Sequence, residues 1–121
     1  MGSAIAEESD NVIYTKAGRE VAVATTKAYS AQLVALYALG IFIGKQRGKV
    51  SPSREKDFVK ELLLLPQKIR DTLEMVNEDV KTLAKELYRC ENIFYIGRLS
   101  DHATASEGSL KMKEITYINS Q

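Results

Sequence analysis

The sequence predicts an α/β chain that is mostly helical and has about two short strands. Long runs with helical spacing fill its middle, and only residues 12–15 and 93–96 have the β-branched and aromatic composition of strands. A four-residue apolar strand between helices favours parallel neighbours on both sides, which two strands cannot supply. We therefore expect a fragment that joins two α/β units, with residues 1–50 in one and residues 51–121 in the other.

The first elements are short. Residues 3–8 are expected to form one turn of helix, and residues 12–15 a brief strand that is closed by a glycine turn at residues 16–18. A long helix is then predicted over residues 26–46. Residues 31–43 are apolar nearly all round, which predicts burial on most faces, and the run is shorter than the about 20 apolar residues that span a bilayer.

Two threonines precede this helix. Thr25 and Thr26 stand at the N-cap position, where the free backbone N–H groups and the positive end of the helix dipole lie. Side-chain capping is one interpretation, and reception of an anion or a sugar hydroxyl is the other. At the opposite end, basic residues and Gly48 are typical of a helix C-terminus.

A second long helix is predicted over residues 53–75, because its apolar residues recur every three or four positions. Pro66 falls inside this pattern and is expected to kink or divide the helix. A shorter helix should follow Asn77. The buried strand at residues 93–96 and a helix over residues 103–117, capped by Ser100 or Asp101, complete the expected order.

The last helix carries a charged stripe. Glu107, Lys111, Glu114 and Ile118 are spaced i, i+4, i+7 and i+11, so they share one face. Three apolar-face residues are expected to border the stripe: Ala103, Leu110 and Tyr117. Two carboxylates beside one ammonium at such a border can have their proton affinities tuned, as a proton-transfer site requires. A surface ion-pair ladder is the alternative.

Composition excludes several classes of protein. The hydrophobic fraction of 45% and the charged fraction of 27% are typical of a folded domain. The net charge is +1, and positive and negative residues are interspersed, so the sequence shows no charged patch of the kind that binds nucleic acid or a membrane surface. One cysteine, Cys90, and one histidine, His102, exclude an internal disulfide and disfavour a zinc site, so no metal is expected. No signal peptide is apparent, which predicts a cytoplasmic location.

Two long motifs resemble the glucosamine-6-phosphate synthases. The segment TKAGREVAVATTKAY at residues 15–29 is similar to the family pattern T-x-A-G-x-E-x-x-V-A-[ST]-T-K-A-[FY]. The segment EGSLKMKEITYI at residues 107–118 is similar to E-G-[AS]-L-K-[LM]-K-E-I-[ST]-Y-I. Order and separation also agree. The resemblance implies the sugar-isomerase (SIS) fold, a three-layer arrangement around a parallel sheet in the parent protein, with parts of two SIS subdomains here.

The resemblance also implies residue roles. The family makes glucosamine-6-phosphate from fructose-6-phosphate and ammonia released from glutamine in an N-terminal glutaminase domain, and it implies no cofactor. Glu114 matches the glutamate that moves a proton between the first two sugar carbons, and Lys111 matches the lysine that assists it. Glu107 matches a glutamate that we assign to orienting Lys111. Residues matching the sugar-phosphate pocket are Val23, Ala24 and Thr25.

The sequence departs from the family in ways that limit the expected activity. The family's phosphate loop, its ring-opening histidine and its Schiff-base lysine have no counterpart among these 121 residues. His102 is expected to be a surface residue at a helix start. Leu99 replaces the second glycine of a Gly-Arg-Gly turn, which leaves the backbone there open. The chain alone is therefore expected to be inactive, and its uncovered helix faces to drive a homodimer or higher oligomer.

Two other functions stay open at this stage. SIS domains also occur as sugar-phosphate sensors fused to DNA-binding helices, in which no proton is moved. Others act as isomerases, deglycases or deaminases on different phosphosugars. The presence of Lys111 and Glu114 in the enzyme's arrangement favours the synthase, since a sensor has no need of a proton acceptor.

Overall fold

The computed structural model describes residues 3–121. Within them the chain forms four helices and two short strands, in the order α1 (Ala4–Glu8), α2 (Lys27–Gln46), α3 (Pro52–Leu87), β1 (Asn92–Ile93), α4 (Ser100–Thr116) and β2 (Asn119–Ser120). The backbone contacts divide it into two compact units: residues 3–20 with Thr26–Val59, and Val21–Thr25 with Lys60–Gln121. The mostly helical composition with about two strands is confirmed.

The first unit begins with the predicted turn of helix. Ser3 caps α1, and its side chain accepts a hydrogen bond from the N–H of Ala6 at 3.4 Å. The strand predicted at residues 12–15 is wrong, because these residues have no strand pairing. A strand is stabilised by hydrogen bonds to an adjacent strand, and no other segment of the described chain pairs with this one.

Helix α2 confirms the prediction for residues 26–46. Its C-terminus closes as a Schellman motif, as the basic residues and the glycine predicted. The N–H of Lys49 donates to the carbonyl of Gly44 at 2.8 Å, and the N–H of Gly48 donates to that of Lys45 at 2.9 Å. These bonds satisfy carbonyls at the end of α2 that the helix itself leaves without a donor.

The burial predicted for α2 is wrong in this chain. Apolar side chains such as Leu36, Tyr37 and Phe42 are exposed, because nothing else in residues 3–121 forms a layer over them. The length argument against a bilayer span also fails, since the helix has 20 residues and an 18-residue window within it has a mean hydropathy of 1.3. Length and composition alone permit such a helix to cross a membrane, but the core helix of a water-soluble protein meets the same criterion.

Helix α3 is continuous over 36 residues, so the predicted division at Pro66 and the separate helix after Asn77 are wrong. Proline removes one backbone donor, but the apolar periodicity continues on both sides of it. Side-chain pairs reinforce the exposed face near that position. Lys68 bonds to Glu61 across the proline, and Gln67 donates to Asp71 at 2.6 Å.

The second unit contains a βαβ arrangement. Strands β1 and β2 are parallel, with Asn92 opposite Asn119 and Ile93 opposite Ser120, and α4 connects them. The strand predicted at residues 93–96 is therefore confirmed in place but is shorter and starts at Asn92. Its predicted burial is wrong: Phe94 and Ile96 are exposed, because β1 has one neighbour and no covering layer in the described chain. The sequence did not predict β2.

The connection from β1 to α4 is tight. A Cβ on Gly97 would lie 2.3 Å from the backbone oxygen of Asp101, so only glycine fits there. Helix α4 confirms the helix predicted over residues 103–117, although it begins three residues earlier. The predicted cap at Ser100 or Asp101 is wrong. Leu99 is the N-cap residue, with φ 55° and ψ −122° and no capping side chain.

Candidate functional site

The covered face of α4 differs in part from the predicted one. Leu110 and Tyr117 are exposed, so the apolar border expected beside the charged stripe does not form. The covered residues lie on the other side of the stripe. Ser109 is buried there, and Gly108 and Met112 are half-buried. The stripe lies next to this packed face because those positions alternate with the charged ones at helical spacing.

Lys111 contacts both carboxylates of the stripe. The Nζ of Lys111 lies 2.6 Å from Oε2 of Glu114 and 3.4 Å from Oε1 of Glu107. The ammonium thus bridges one carboxylate a turn before it and one a turn after it. We call Glu107, Lys111 and Glu114 the α4 triad.

The α4 triad is partly removed from solvent. The side chains of Glu107, Lys111 and Glu114 are 24%, 20% and 26% exposed, close to the 28% of the ion-paired Glu55 and well below the ion-paired Glu61 and Glu78 on α3. The hydrogen bond to Glu114 raises the pKa of Lys111 above its usual range, and Glu107 adds to this effect, while desolvation opposes it. The ammonium is therefore held in its charged form between two proton-accepting groups.

Two contacts outside the triad fix α4 against the strands. The buried hydroxyls of Ser109 and Ser120 are 3.0 Å apart, and the hydroxyl of Ser120 donates to the backbone carbonyl of Ser109 at 2.7 Å. The ring of Tyr95 packs on Gly108, where an added Cβ would lie 3.0 Å from Cε1. Sequence reasoning missed the serine pair, because neither serine has a spacing that predicts a partner.

The segment expected to line the sugar-phosphate pocket lies in the same compact unit as α4. Within Val21–Thr25, Ala24 is buried at 6% exposure and Thr25 is half-buried, whereas the side chain of Val23 is 88% exposed. Ala24 thus anchors the segment by burial.

The N-terminus of α2 is capped in an unexpected way. Thr26 is the N-cap residue, but its side chain makes no capping hydrogen bond, so side-chain capping by that threonine is wrong. Oε1 of Glu20 accepts the N–H of Ala28 at 2.8 Å instead. A carboxylate of the chain thus occupies one of the donors that an anion would need. Sequence reasoning did not assign this contact to Glu20, although the glutamate is a fixed position of the motif at residues 15–29.

Two other side chains that could take part in a reaction are not among the ion-pair partners of the α4 triad. His102 is exposed in the first turn of α4, as predicted, and Cys90 is a half-buried free thiol. Among residues 3–121, no three His, Cys, Asp or Glu side chains are grouped so that they could hold a metal ion.

Comparison with known proteins gives one consistent result. No family model matches the chain. Over all 121 residues it is 44% identical to the glutamine–fructose-6-phosphate aminotransferase [isomerizing] of Caldanaerobacter subterraneus subsp. tengcongensis. It is 45% identical to the protein of that name from Symbiobacterium thermophilum and 42% identical to that from Clostridium tetani, again over its full length.

The match covers the whole of this chain but only part of each relative. The chain spans about a fifth of the length of these curated relatives, at 20% of each. The resemblance predicted from the motifs at residues 15–29 and 107–118 is confirmed, because identity extends from the first residue to the last. The chain is thus homologous, over its whole length, to a segment of the glutamine–fructose-6-phosphate aminotransferase family.

Proposed function

We propose that this chain is part of the isomerase half of a glutamine–fructose-6-phosphate aminotransferase. In this proposal the intact protein has the SIS fold, with residues 1–50 in the first SIS subdomain and residues 51–121 in the second. Its reaction makes glucosamine-6-phosphate from fructose-6-phosphate and ammonia from a glutaminase domain, in the cytoplasm and as a dimer. The assignment is supported by the 44–45% identity to relatives of that name over all 121 residues of this chain, and by the parallel βαβ arrangement.

The observation that carries the proposal is the α4 triad. Proton transfer between adjacent sugar carbons needs a group that accepts a proton from one carbon and returns it to the next. The carboxylate of Glu114 can do so, and the ammonium of Lys111 lies 2.6 Å from it. Glu107 holds the same ammonium from the other side, so that Lys111 stays beside Glu114 during catalysis. We assign proton transfer to Glu114, assistance in that transfer to Lys111, and the orientation of Lys111 to Glu107.

Substrate contact is assigned to Val23, Ala24 and Thr25. This segment is bent and anchored by one buried alanine, and it belongs to the compact unit that contains the triad. A sugar phosphate carries several hydroxyl groups and an anionic group, which backbone N–H groups and a threonine hydroxyl can bind.

The alternative functions are not favoured. The relatives at 40–45% identity carry the name of the aminotransferase. A sugar-phosphate sensor would gain nothing from a partly covered carboxylate beside an ammonium, because binding alone moves no proton. A different phosphosugar isomerase is disfavoured by the segment at residues 15–29, which is similar to the synthase pattern.

The proposal is tested by replacing the matching segment of the Caldanaerobacter relative with this chain. We expect the chimera to form glucosamine-6-phosphate from fructose-6-phosphate and glutamine. Glu114→Gln keeps the shape but cannot accept the proton, so the synthase rate should fall by about 10²–10⁴. Glutamine hydrolysis, measured separately, should persist.

The matched control is Glu61→Gln, which makes the same chemical change in the exposed ion pair with Lys68 on α3. Its synthase rate should equal that of the unaltered chimera. A folded chimera without synthase activity would contradict the proposed function, and a Glu114→Gln rate within about tenfold of the parent would contradict the role of Glu114. The 121-residue chain alone should show no turnover, since it spans a fifth of its relatives.

A further inference from the structure

Two hydrogen bonds join the residues that precede Val21–Thr25 to the residues that follow it. Oε1 of Glu20 accepts the N–H of Ala28 at 2.8 Å, while Nζ of Lys27 donates to the backbone carbonyl of Arg19 at 2.6 Å. Each bond spans eight residues and runs from one flank of the segment to the other. We call this pair of bonds the 19–28 clasp.

Each bond of the clasp satisfies a group that its helix leaves without a partner. Ala28 is the second residue of α2, and the first N–H groups of a helix have no acceptor within it. The carboxylate of Glu20 fills this role and also suits the positive end of the helix dipole. Lys27 places a positive charge at the same end, which is unfavourable, and its bond to the carbonyl of Arg19 gives that charge an acceptor outside the helix.

The clasp joins the two ends of a short segment in which most side chains are exposed. The side chains of Val21 and Val23 are exposed, and Ala24 is the only buried residue among these five. Holding the two ends of this segment at a set separation reduces the number of conformations that its backbone can adopt. The clasp provides that constraint.

We propose that Glu20 and Lys27 are positioning residues, whose clasp holds Val21–Thr25 in the conformation that binds the sugar phosphate. The inference rests on the proposed function in one respect, namely that this segment contacts the substrate. The clasp also assigns the N–H of Ala28 to an internal carboxylate. The phosphate of the substrate is accordingly bound by groups other than that N–H.

Hydrogen exchange on the 121-residue chain tests the clasp without substrate. Glu20→Ala removes the acceptor and should speed exchange of the Ala28 N–H by about tenfold, together with the amides of residues 22–25. Glu20→Gln retains an oxygen acceptor and should restore most of the protection. Glu55→Ala is the control, because Glu55 is likewise a carboxylate at the start of a helix, in the first turn of α3, and pairs with Lys45 at 2.8 Å.

Unchanged exchange at Ala28 and residues 22–25 in Glu20→Ala would overturn the clasp. So would equal acceleration throughout α2 and in the Glu55→Ala control, which would mean a general loss of stability. If Glu20→Ala fails to fold, Lys27→Met decides: selective acceleration at residues 22–25 supports the clasp, and its absence overturns it.

The positioning role is tested in the chimera with the Caldanaerobacter relative. Glu20→Ala should raise KM for fructose-6-phosphate by about tenfold with kcat changed less than about twofold, because it alters binding and leaves the triad intact. Glu20→Gln should fall between. Faster exchange without a change in KM overturns the positioning role and leaves the proposed function standing. An unaltered chimera without activity counts against the proposed function, whereas the exchange result stands by itself.

Discussion

Leu99 shows how one residue can store strain at the start of a helix. Its φ of 55° with ψ of −122° is a conformation that glycine adopts readily and that a side chain disfavours. Its side chain is 85% exposed, so little packing compensates. Leu99→Gly removes strain of about 1–3 kcal/mol, while the freedom of glycine in the unfolded chain costs about 0.5–1 kcal/mol. We expect the free energy of unfolding in urea to rise by about 1 kcal/mol.

Leu99→Ala is the control, because it also removes the exposed side chain but keeps the Cβ that makes this backbone unfavourable. It should leave the free energy of unfolding close to that of the parent. Equal stabilities of the glycine and alanine variants would show that the backbone at Leu99 carries no strain.

Lys111 gives a prediction for pH. Its pKa is raised in the folded chain, mainly by the hydrogen bond to Glu114, so the folded state holds this proton more tightly than the unfolded state. The resulting stabilisation is fully present below the ordinary lysine pKa of about 10.4 and is lost as pH rises through the higher folded value. The unfolding free energies of the parent and of Lys111→Met should therefore differ constantly near neutral pH and converge at strongly alkaline pH.

Lys56→Met is the control for loss of one positive charge, since Lys56 is an exposed residue of α3 outside the triad. Its difference from the parent should show no such convergence. A Lys111→Met difference that persists unchanged through strongly alkaline pH would mean that the stabilisation comes from packing of the lysine stem.

At the residue scale, sequence predicts contacts within one helix better than contacts across the chain. The α4 triad followed from helical spacing alone, because i, i+3 and i+4 positions are neighbours on any helix. The hydrogen bond from the N-terminus of α2 to the carboxylate of Glu20 was not predicted, since no periodicity relates a loop residue to a helix that starts later. The Ser109–Ser120 contact was missed for the same reason.

Among the elements, α3 is the one whose continuity contradicts its sequence. Pro66 occupies a helix interior, where it removes the donor that would bond to the Leu62 carbonyl and costs about 3 kcal/mol relative to alanine. Pro66→Ala should restore that bond, although the unfolded chain becomes more flexible by about 0.4–1 kcal/mol. We expect a net gain of about 2 kcal/mol in the free energy of unfolding, measured by far-UV circular dichroism.

Gln67→Ala is a suitable comparison, because it changes the adjacent position without altering a backbone donor. It removes the side-chain bond to Asp71 and should be neutral or slightly destabilising. If Pro66→Ala is instead less stable than the parent, the local shape that proline gives to α3 is required by the fold.

The elements that sequence predicts well are those that need no partner. Helices α2 and α4 appear at the predicted positions because their hydrogen bonds are local. Residues 12–15 have strand composition, yet they form none, because a strand needs a second segment beside it. Strand β2 is the opposite case: Asn119 and Ser120 lack strand composition, yet they pair with β1, which their composition does not predict.

For the whole molecule, the dominant feature is uncovered apolar surface. Helix α2 exposes Leu36, Tyr37 and Phe42, and α3 exposes Leu63 and Leu64, which agrees with the uncovered helix faces expected for a fragment and not with the burial predicted from the apolar composition of residues 31–43. Apolar patches of this kind favour association. We expect the 121-residue chain to form dimers or larger oligomers, with a weight-average mass in sedimentation equilibrium that rises with concentration.

A double variant tests which surface is responsible. Leu36→Lys with Phe42→Glu places charges on exposed positions of α2 and should shift the population toward monomer. Ile5→Glu makes a comparable change at an exposed apolar residue of α1 and should leave the mass distribution unchanged. A parent chain that remains monomeric at the highest attainable concentration would contradict association.

The parallel pairing of β1 with β2 also sets the order in which the chain can fold. Asn92 and Asn119 face each other across 27 residues, and α4 occupies most of that interval. A helix forms from local contacts within about a microsecond, whereas strands so far apart in sequence must wait for loop closure. Ser120 lies in β2 and bonds to Ser109 of α4, so β2 contacts both α4 and β1. The strands should therefore appear, and disappear on unfolding, in the same kinetic step as the burial of that serine pair.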